Sequence, residues 1–310
     1  MRLCSTLLLT LLFTLNCYAI ESEQWITDVH YLASDELEGR RTGTVGAERA
    51  RAYIEQRFAQ LTLTPLKGLE SFRQAFSEPG RRKNLVHGIN VVSAYSHADA
   101  PYILVTAHYD HLGRKGRRIF NGADDNASGV SAMLELALRT TKNSMQCNVM
   151  FLATDAEEHG LLGAKAFANT GVLESYRLFA NLNLDMLSQP GGRHDLLVSG
   201  VKSHPAFEDL TSQIETDTSL PMINTDAGYR VGRYPVKGDR TKVSDHAVFA
   251  ERGIPFLFLG VGRHNYYHTP RDTASRINEG FYGRVVDASW RFLKGLDGLC
   301  GKELQANHTD

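Results

Sequence analysis

The sequence is short of three things: net charge, long apolar runs and cysteine. Lysine and arginine number 34 against 35 aspartates and glutamates, a formal charge of −1 over 310 residues. No basic field exists to attract a phosphate backbone, which argues against nucleic acid as a partner. Beyond the N-terminus no apolar run approaches the roughly 20 residues that cross a bilayer. Mean hydropathy is −0.27, so a multi-span membrane protein is excluded. Four cysteines, two of them in the leader described next, are not a disulfide framework, and the fold must rest on a hydrophobic core. Internal repeats, low-complexity segments and Pro/Ser linkers are also missing. What is present, 42% hydrophobic and 22% charged residues, is the composition of a soluble globular protein.

Arg2 precedes an apolar run, Leu7 to Leu15. That run is too short to span a bilayer and has the form of a signal-peptide core. Cys17-Tyr18-Ala19 supplies the small residues that precede a cut, so residues 1–19 read as a signal peptide cleaved after Ala19. A buried N-terminal helix and lipidation at Cys17 are the alternatives; Asn16 is bulky for the position before a lipidated cysteine. Cleavage removes Arg2 and no acid, leaving 33 − 35 = −2, and leaves two cysteines, Cys147 and Cys300. The expectation is an exported protein, periplasmic or extracellular, with no membrane span.

Ala47, Ala50, Ile54, Phe58 and Leu61 fall at spacings of three and four, which predicts an amphipathic helix over 45–61. A polar stretch, Ser34 to Gly46, precedes it. Short apolar runs predict strands at 102–107, 148–154, 179–184 and 255–259. Helices are predicted at 127–140, 161–169, 204–215, 244–252 and 278–297. Two-sided apolar strands alternating with helices indicate one α/β domain, a mostly parallel mixed sheet covered on both faces. The division drawn is an N-terminal helical segment at 20–83 packed on a catalytic domain at 84–298, then a C-terminal tail at 299–310.

The residues after each strand carry the chemistry. After 102–107 come His108-Tyr109-Asp110-His111. After 148–154 come Asp155-Ala156-Glu157-Glu158-His159. After 179–184 comes Asp185, and after 255–259 a loop with His264 and His268. A tight acidic loop, Asn121 to Gly129, leads into a helix. Sites in open α/β sheets form outside the carboxyl ends of strands. Each piece alone has a plain explanation: a surface turn, a solvated helix start, a helix N-cap. Their joint placement at successive strand ends argues for a metal site. The candidate ligands are His108, Asp125, Glu158, Asp185 and His268, an N/O set without thiolate that suits Zn²⁺ or Mn²⁺ in a hydrolytic role. Five ligands exceed one tetrahedral ion and suit two metals about 3.5–4 Å apart with a bridging carboxylate. Asp110 is placed to accept from the other ring nitrogen of His108. In Glu157-Glu158 one carboxylate can ligate while the other serves as general base.

At this point the sequence resembles bacterial exported two-zinc aminopeptidases, in the MH clan of leucyl-aminopeptidase-like and glutamate-carboxypeptidase-like metallopeptidases. The matching segments are Ala107–Gly113, Asn121–Gly129, Ala156–Leu161, Leu184–Met186, Ser244–His246 and Tyr267–Thr273, with Leu32–Arg40 typical of secreted members. The similarity runs from about residue 30 to 295, nearly the whole mature chain, and segments in this order and spacing are very specific. Carried over residue by residue, the resemblance implies that His108 and Asp185 hold one zinc and that Glu158 and His268 hold the other. Asp125 bridges, Glu157 is the general base and Asp110 orients His108, with a peptide bearing a free N-terminus as substrate. The role of Ser244-Asp245-His246 stays open between a helix cap with packed histidine and a site contribution. A carboxypeptidase-type relative and a glutaminyl cyclase of the same fold, with a single zinc, are the enzymatic alternatives. A non-enzymatic ectodomain should have lost ligands, and none is missing. Nothing is long enough to be an inserted protease-associated domain.

Cys147 opens the strand whose far end carries Glu157 and Glu158, so it lies at the sheet edge away from the metals. The last helix starts on the metal side after His268 and over about 20 residues descends roughly 30 Å. Cys300 should reach that same edge. A Cys147–Cys300 disulfide is the expectation, with two unpaired cysteines as the alternative.

Overall fold

The computed structural model describes residues 24–80, 84–97, 99–171, 175–190, 195–226, 229–231, 234–236 and 243–307. The leader, its cleavage position and Cys17 lie outside them. The strands are β1 (Arg73–Pro79), β2 (Leu85–Tyr95), β3 (Tyr102–His108), β4 (Gly113–Lys115), β5 (Arg118–Phe120), β6 (Asn148–Thr154), β7 (Leu178–Asp185), β8 (Leu196–Ser199), β9 (Met222–Asn224), β10 (Tyr229–Val231), β11 (Tyr234–Val236) and β12 (Phe256–Gly260). The helices are α1 (Gln24–Leu32), α2 (Val45–Gln60), α3 (Gly129–Lys142), α4 (Leu162–Asn169), α5 (Phe207–Thr218), α6 (His246–Ala250) and α7 (Glu279–Asn307).

Eight strands form one sheet in the order β1-β2-β6-β3-β7-β12-β8-β9. Its central four, β6-β3-β7-β12, are mutually parallel, and β1, β2 and β8 pair antiparallel. Every residue of β6 is buried, as are six of the seven in β3, because helices cover both faces. Alternation along the strands sorts two cores. Ile103, Val105, Val149 and Phe151 pack with residues of α1, α2, α3, α5 and α7. Leu104, Met150 and Leu152 face Ala164 and Phe167 of α4 and Val248 and Phe249 of α6. The parallel registers level the strand ends: His108 pairs with Thr154, and Gly260 with Asp185. Four carboxyl ends therefore open at one rim.

Two boundaries differ from the sequence reading. The 20–83 segment is not only helical, because β1 crosses back to form an edge of the main sheet, pairing Arg73 to Val91 through Pro79 to Leu85. The tail at 299–310 is not separate either, since α7 continues to Asn307 with Cys300 fully buried. Gly295, Gly298 and Gly301 weaken helix propensity there. Two of them are close-approach positions: a Cβ on Gly295 would meet Leu210 of α5 at 2.3 Å, and one on Gly301 would meet Gln146 at 1.9 Å. Tertiary packing carries the helix past them. Cys147 and Cys300 form a disulfide with Cα atoms 6.3 Å apart, within the range such a bond requires.

Candidate metal centre

His108, Asp125, Glu158, Asp185 and His268 converge at the rim, although they span most of the chain. Their donors fall in two groups that share Asp125. In the first, His108 Nε2 lies 3.4 Å from Asp125 Oδ1 and 3.4 Å from Asp185 Oδ1. In the second, His268 Nε2 lies 3.0 Å from Asp125 Oδ2 and 3.2 Å from Glu158 Oε1. The second group has a member that the sequence reading did not assign: His111 Nδ1 lies 3.0 Å from Glu158 Oε1 and 3.7 Å from Asp125 Oδ2. His111 sits three residues after His108, and its side chain is fully buried. In each group the donor atoms lie within 4.8 Å of one another.

The donor set fits metal ions. Three imidazoles and three carboxylates gather with no thiol. Glu158 Oε1 and both ring nitrogens of His111 are buried without a hydrogen-bond partner. Buried polar atoms are rarely left so unless another species satisfies them. Burial alone would raise the carboxyl of Asp125, but His111, with His108 and His268, holds it well below the usual range. Burial would lower His268, but Asp125 and Glu158 push it up to about 9. Asp185, Asp110 and Asp125 likewise overcome burial and hold His108 well above its ordinary value. Metal binding to these imidazoles displaces protons.

The backbone is left-handed at three places in the site. Ala156, Met186 and His268 have φ of 59°, 62° and 55°. These are left-handed conformations that cost non-glycine residues of order 1–3 kcal/mol each and collect at functional sites. Each lies beside or at a site residue: before Glu157, after Asp185, and at His268 itself. Gly122 (φ +60) turns the acidic loop so tightly that a Cβ would sit 2.6 Å from the His111 ring.

Around the donors lies a shell of buried groups. Asp110 does not act on His108 chiefly through its side chain. The nearest acceptor to His108 Nδ1 is the Asp110 backbone oxygen at 3.1 Å, with carboxylate Oδ1 at 3.7 Å. The carboxylate instead accepts the backbone N–H of Glu157 at 3.0 Å and of Glu158 at 3.3 Å, because the β6 end curls over it. Asp272 accepts the backbone N–H groups of Asp124 and Asp125 at 3.0 and 3.1 Å. Asp124 Oδ2 lies 3.0 Å from His264 Nε2, tying the acidic loop to the loop of His268. Arg40 is 1% exposed and donates to the carbonyls of Leu32, Tyr109, Asn121 and Gly122. Burial, against the attraction of Asp125, Asp272, Asp110 and Glu158, lowers its guanidinium to about 10. It clamps the His108–His111 and Asn121–Asp125 segments from behind.

The Ser244-Asp245-His246 segment divides. His246 is packed, with its ring centroid 4.9 Å from those of Phe256 and Phe258. Ser244 caps nothing with its side chain; its hydroxyl accepts from Asn183 Nδ2 at 3.0 Å. Asp245 is fully buried, accepts from Thr154 through Oδ2, and leaves Oδ1 unpartnered. Burial, with Asp110 and Asp185 nearby and against the pull of His108, pushes it up to about 7. Glu157 is raised well above the usual range by burial and by Asp185, Asp245 and Glu158, against His108. The side chain of His268 is 34% exposed while that of His108 is 2%, so the centre opens to solvent on the His268 side. Tyr267 stacks on His268 there, with centroids 3.9 Å apart.

Solved structures share this fold. LapB from Legionella pneumophila superposes with a TM-score of 0.69 at 19% identity, covering 89% of this chain and 72% of that one. Porphyromonas gingivalis glutaminyl cyclase does so at 0.70 and 17%, covering 88% and 97%. At such identities the likeness is one of fold. The alkaline phosphatase isozyme conversion protein of Escherichia coli (strain K12) is 31% identical over 188 residues, 56% of this chain and 53% of that protein. Aminopeptidase YwaD of Bacillus subtilis (strain 168) is 28% identical over 200 residues, 62% of this chain and 40% of that protein. The chain thus spans about half the length of these curated relatives. Residues 90–293, well over half of the sequence and including every donor described above, match Peptidase family M28, and the chain belongs to that zinc metallopeptidase family.

Proposed function

We propose that the chain is an exported aminopeptidase that holds two zinc ions and removes N-terminal residues from peptides. The observation that carries this reading is the division of Asp125, with one oxygen in each donor group and Glu157 at their side. His108, Asp125 and Asp185 would hold one ion, and Asp125, Glu158 and His268 the other. Zinc held by these residues would supply Lewis-acid chemistry, polarising a bound carbonyl and acidifying a water. Glu157 takes the proton of that water on its carboxylate and delivers it to the nitrogen of the leaving amine, a function worth about 10²–10⁴-fold. Asp110 holds the Glu157 backbone in place through its N–H. Export rests on the leader at 1–19 and is supported by the disulfide, a bond suited to an oxidising compartment.

The test is a panel of aminoacyl-anilides and dipeptides, with an N-terminal glutaminyl peptide alongside, on protein of measured metal content. Release of N-terminal residues supports the aminopeptidase. Ring closure of the glutaminyl peptide without hydrolysis of the others supports a cyclase instead.

A further inference from the structure

We infer that His111 is a fourth protein ligand of the metal held by Glu158 and His268, so that this ion sits in a closed site while its neighbour keeps a position open. The inference rests on the two-metal reading above and adds to it an asymmetry between the two ions.

Four donors surround the second position: His111 Nδ1, His268 Nε2, Glu158 Oε1 and Asp125 Oδ2. Zinc at about 2.0–2.1 Å from each of four tetrahedral donors places those donors about 3.3–3.4 Å apart. The separations are 3.0, 3.7, 3.0 and 3.2 Å for His111–Glu158, His111–Asp125, His268–Asp125 and His268–Glu158. The remaining two pairs are within 4.8 Å. These values bracket a tetrahedral edge. Hydrogen bonding does not explain the approach, because Glu158 Oε1 and His111 Nδ1, 3.0 Å apart, are both without a hydrogen-bond partner. Two buried polar atoms that meet at this distance without bonding to each other are aimed at a third body between them. The ring has no alternative partner, since neither of its nitrogens makes a hydrogen bond. It is also held in place: the ring lies where only a glycine at 122 leaves room.

The first position has three protein donors, His108, Asp125 and Asp185. Closed four-ligand zinc sites are structural, whereas catalytic ones keep a place for a non-protein ligand. The His111 side should therefore bind its ion more tightly and exchange it more slowly. The His108 side should be the labile one, where a substrate atom can join.

The experiment compares the full-length mature protein with its His111→Gln and His111→Ala variants. Zinc affinities come from competition with a chromogenic chelator, and the visible spectrum is recorded after one and then two equivalents of Co²⁺. Thermal melting of the metal-free forms shows that each variant is folded. In the parent the first equivalent of Co²⁺ should give the intense bands of a four-coordinate ion. In both variants those bands should weaken, and the tighter affinity should fall by more than the roughly 10–100-fold that losing a mere ligand-orienting partner costs. The weaker affinity should change by a few-fold at most. Unchanged first-equivalent bands in folded variants overturn the inference, whatever the affinity change. A parent that takes up one metal sinks the two-metal reading, and the same spectra still decide whether His111 holds that ion. A parent that takes up none overturns both.

Discussion

Glu157 hangs from Asp110: its backbone N–H donates to Asp110 Oδ1 at 3.0 Å, and the adjoining N–H of Glu158 donates to Oδ2 at 3.3 Å. One carboxylate thus sets the position of both acids, the one that would carry the proton and the one that would hold metal. The two can be separated by mutation. Glu157→Gln should keep both zincs, because its side chain is in neither donor group, and should lose about 10²–10⁴-fold in kcat. Asp110→Asn turns an amide toward two N–H donors and should weaken zinc binding by about 10–100-fold. Chelator titration and steady-state kinetics on both variants check this. A Glu157→Gln enzyme as active as its parent would remove the assigned base.

The second prediction concerns pH. Asp245 has a folded-state pKa of about 7, above the ordinary value of about 3.9. A raised pKa means that the folded state binds the proton more firmly. The stability Asp245 contributes is complete below about pH 4 and is lost as pH rises through about 7. The loss is up to roughly 4 kcal/mol in the metal-free protein. Asp245→Asn should therefore flatten the fall in stability between pH 4 and 8. Urea melts of metal-free parent and variant at several pH values measure the slope, and equal slopes would show that the carboxyl is not strained.

Much of the site is legible in the sequence because its donors sit at the ends of the most hydrophobic strands. The runs at 102–107 and 148–154 mark β3 and β6 almost to the residue, and His108 and Glu158 follow at once. The supporting groups are less visible. Arg40 lies in a stretch that reads as polar surface, yet it is buried behind the centre and bonded to four backbone carbonyls. Its partners lie up to 82 residues away, and local pattern carries no sign of them. Asp272, which accepts the N–H groups of Asp124 and Asp125, is hidden for the same reason. His111 stands beside His108 in the sequence, but beyond a strand end the alternation no longer sets side-chain direction; its ring fits only because position 122 is glycine. The strand β2 escapes notice because it alternates in its first half and is buried on both faces in its second, so no single period runs through it.

The disulfide gives a third prediction. Cys147 and Cys300 close a loop of 153 residues and pin the end of α7 to the start of β6, at the pole of the sheet away from the metals. Cys147→Ser with Cys300→Ser should lower stability by about 2–5 kcal/mol and leave KM for a dipeptide unchanged. Denaturant melts and kinetics on the double variant check both halves. Equal stability would mean that the bond only follows the fold and does not support it.

The most direct measurement is elemental analysis of the purified chain, taken together with His268→Ala. Asp125 offers one oxygen to each donor group, so the parent should retain two zincs per chain after dialysis. Loss of His268 takes a donor from the second group alone, so the variant should keep one zinc at parental affinity and hold the other more weakly. A parent that saturates at a single zinc, or a His268→Ala variant that still holds two with parental affinity, would contradict the shared-carboxylate centre.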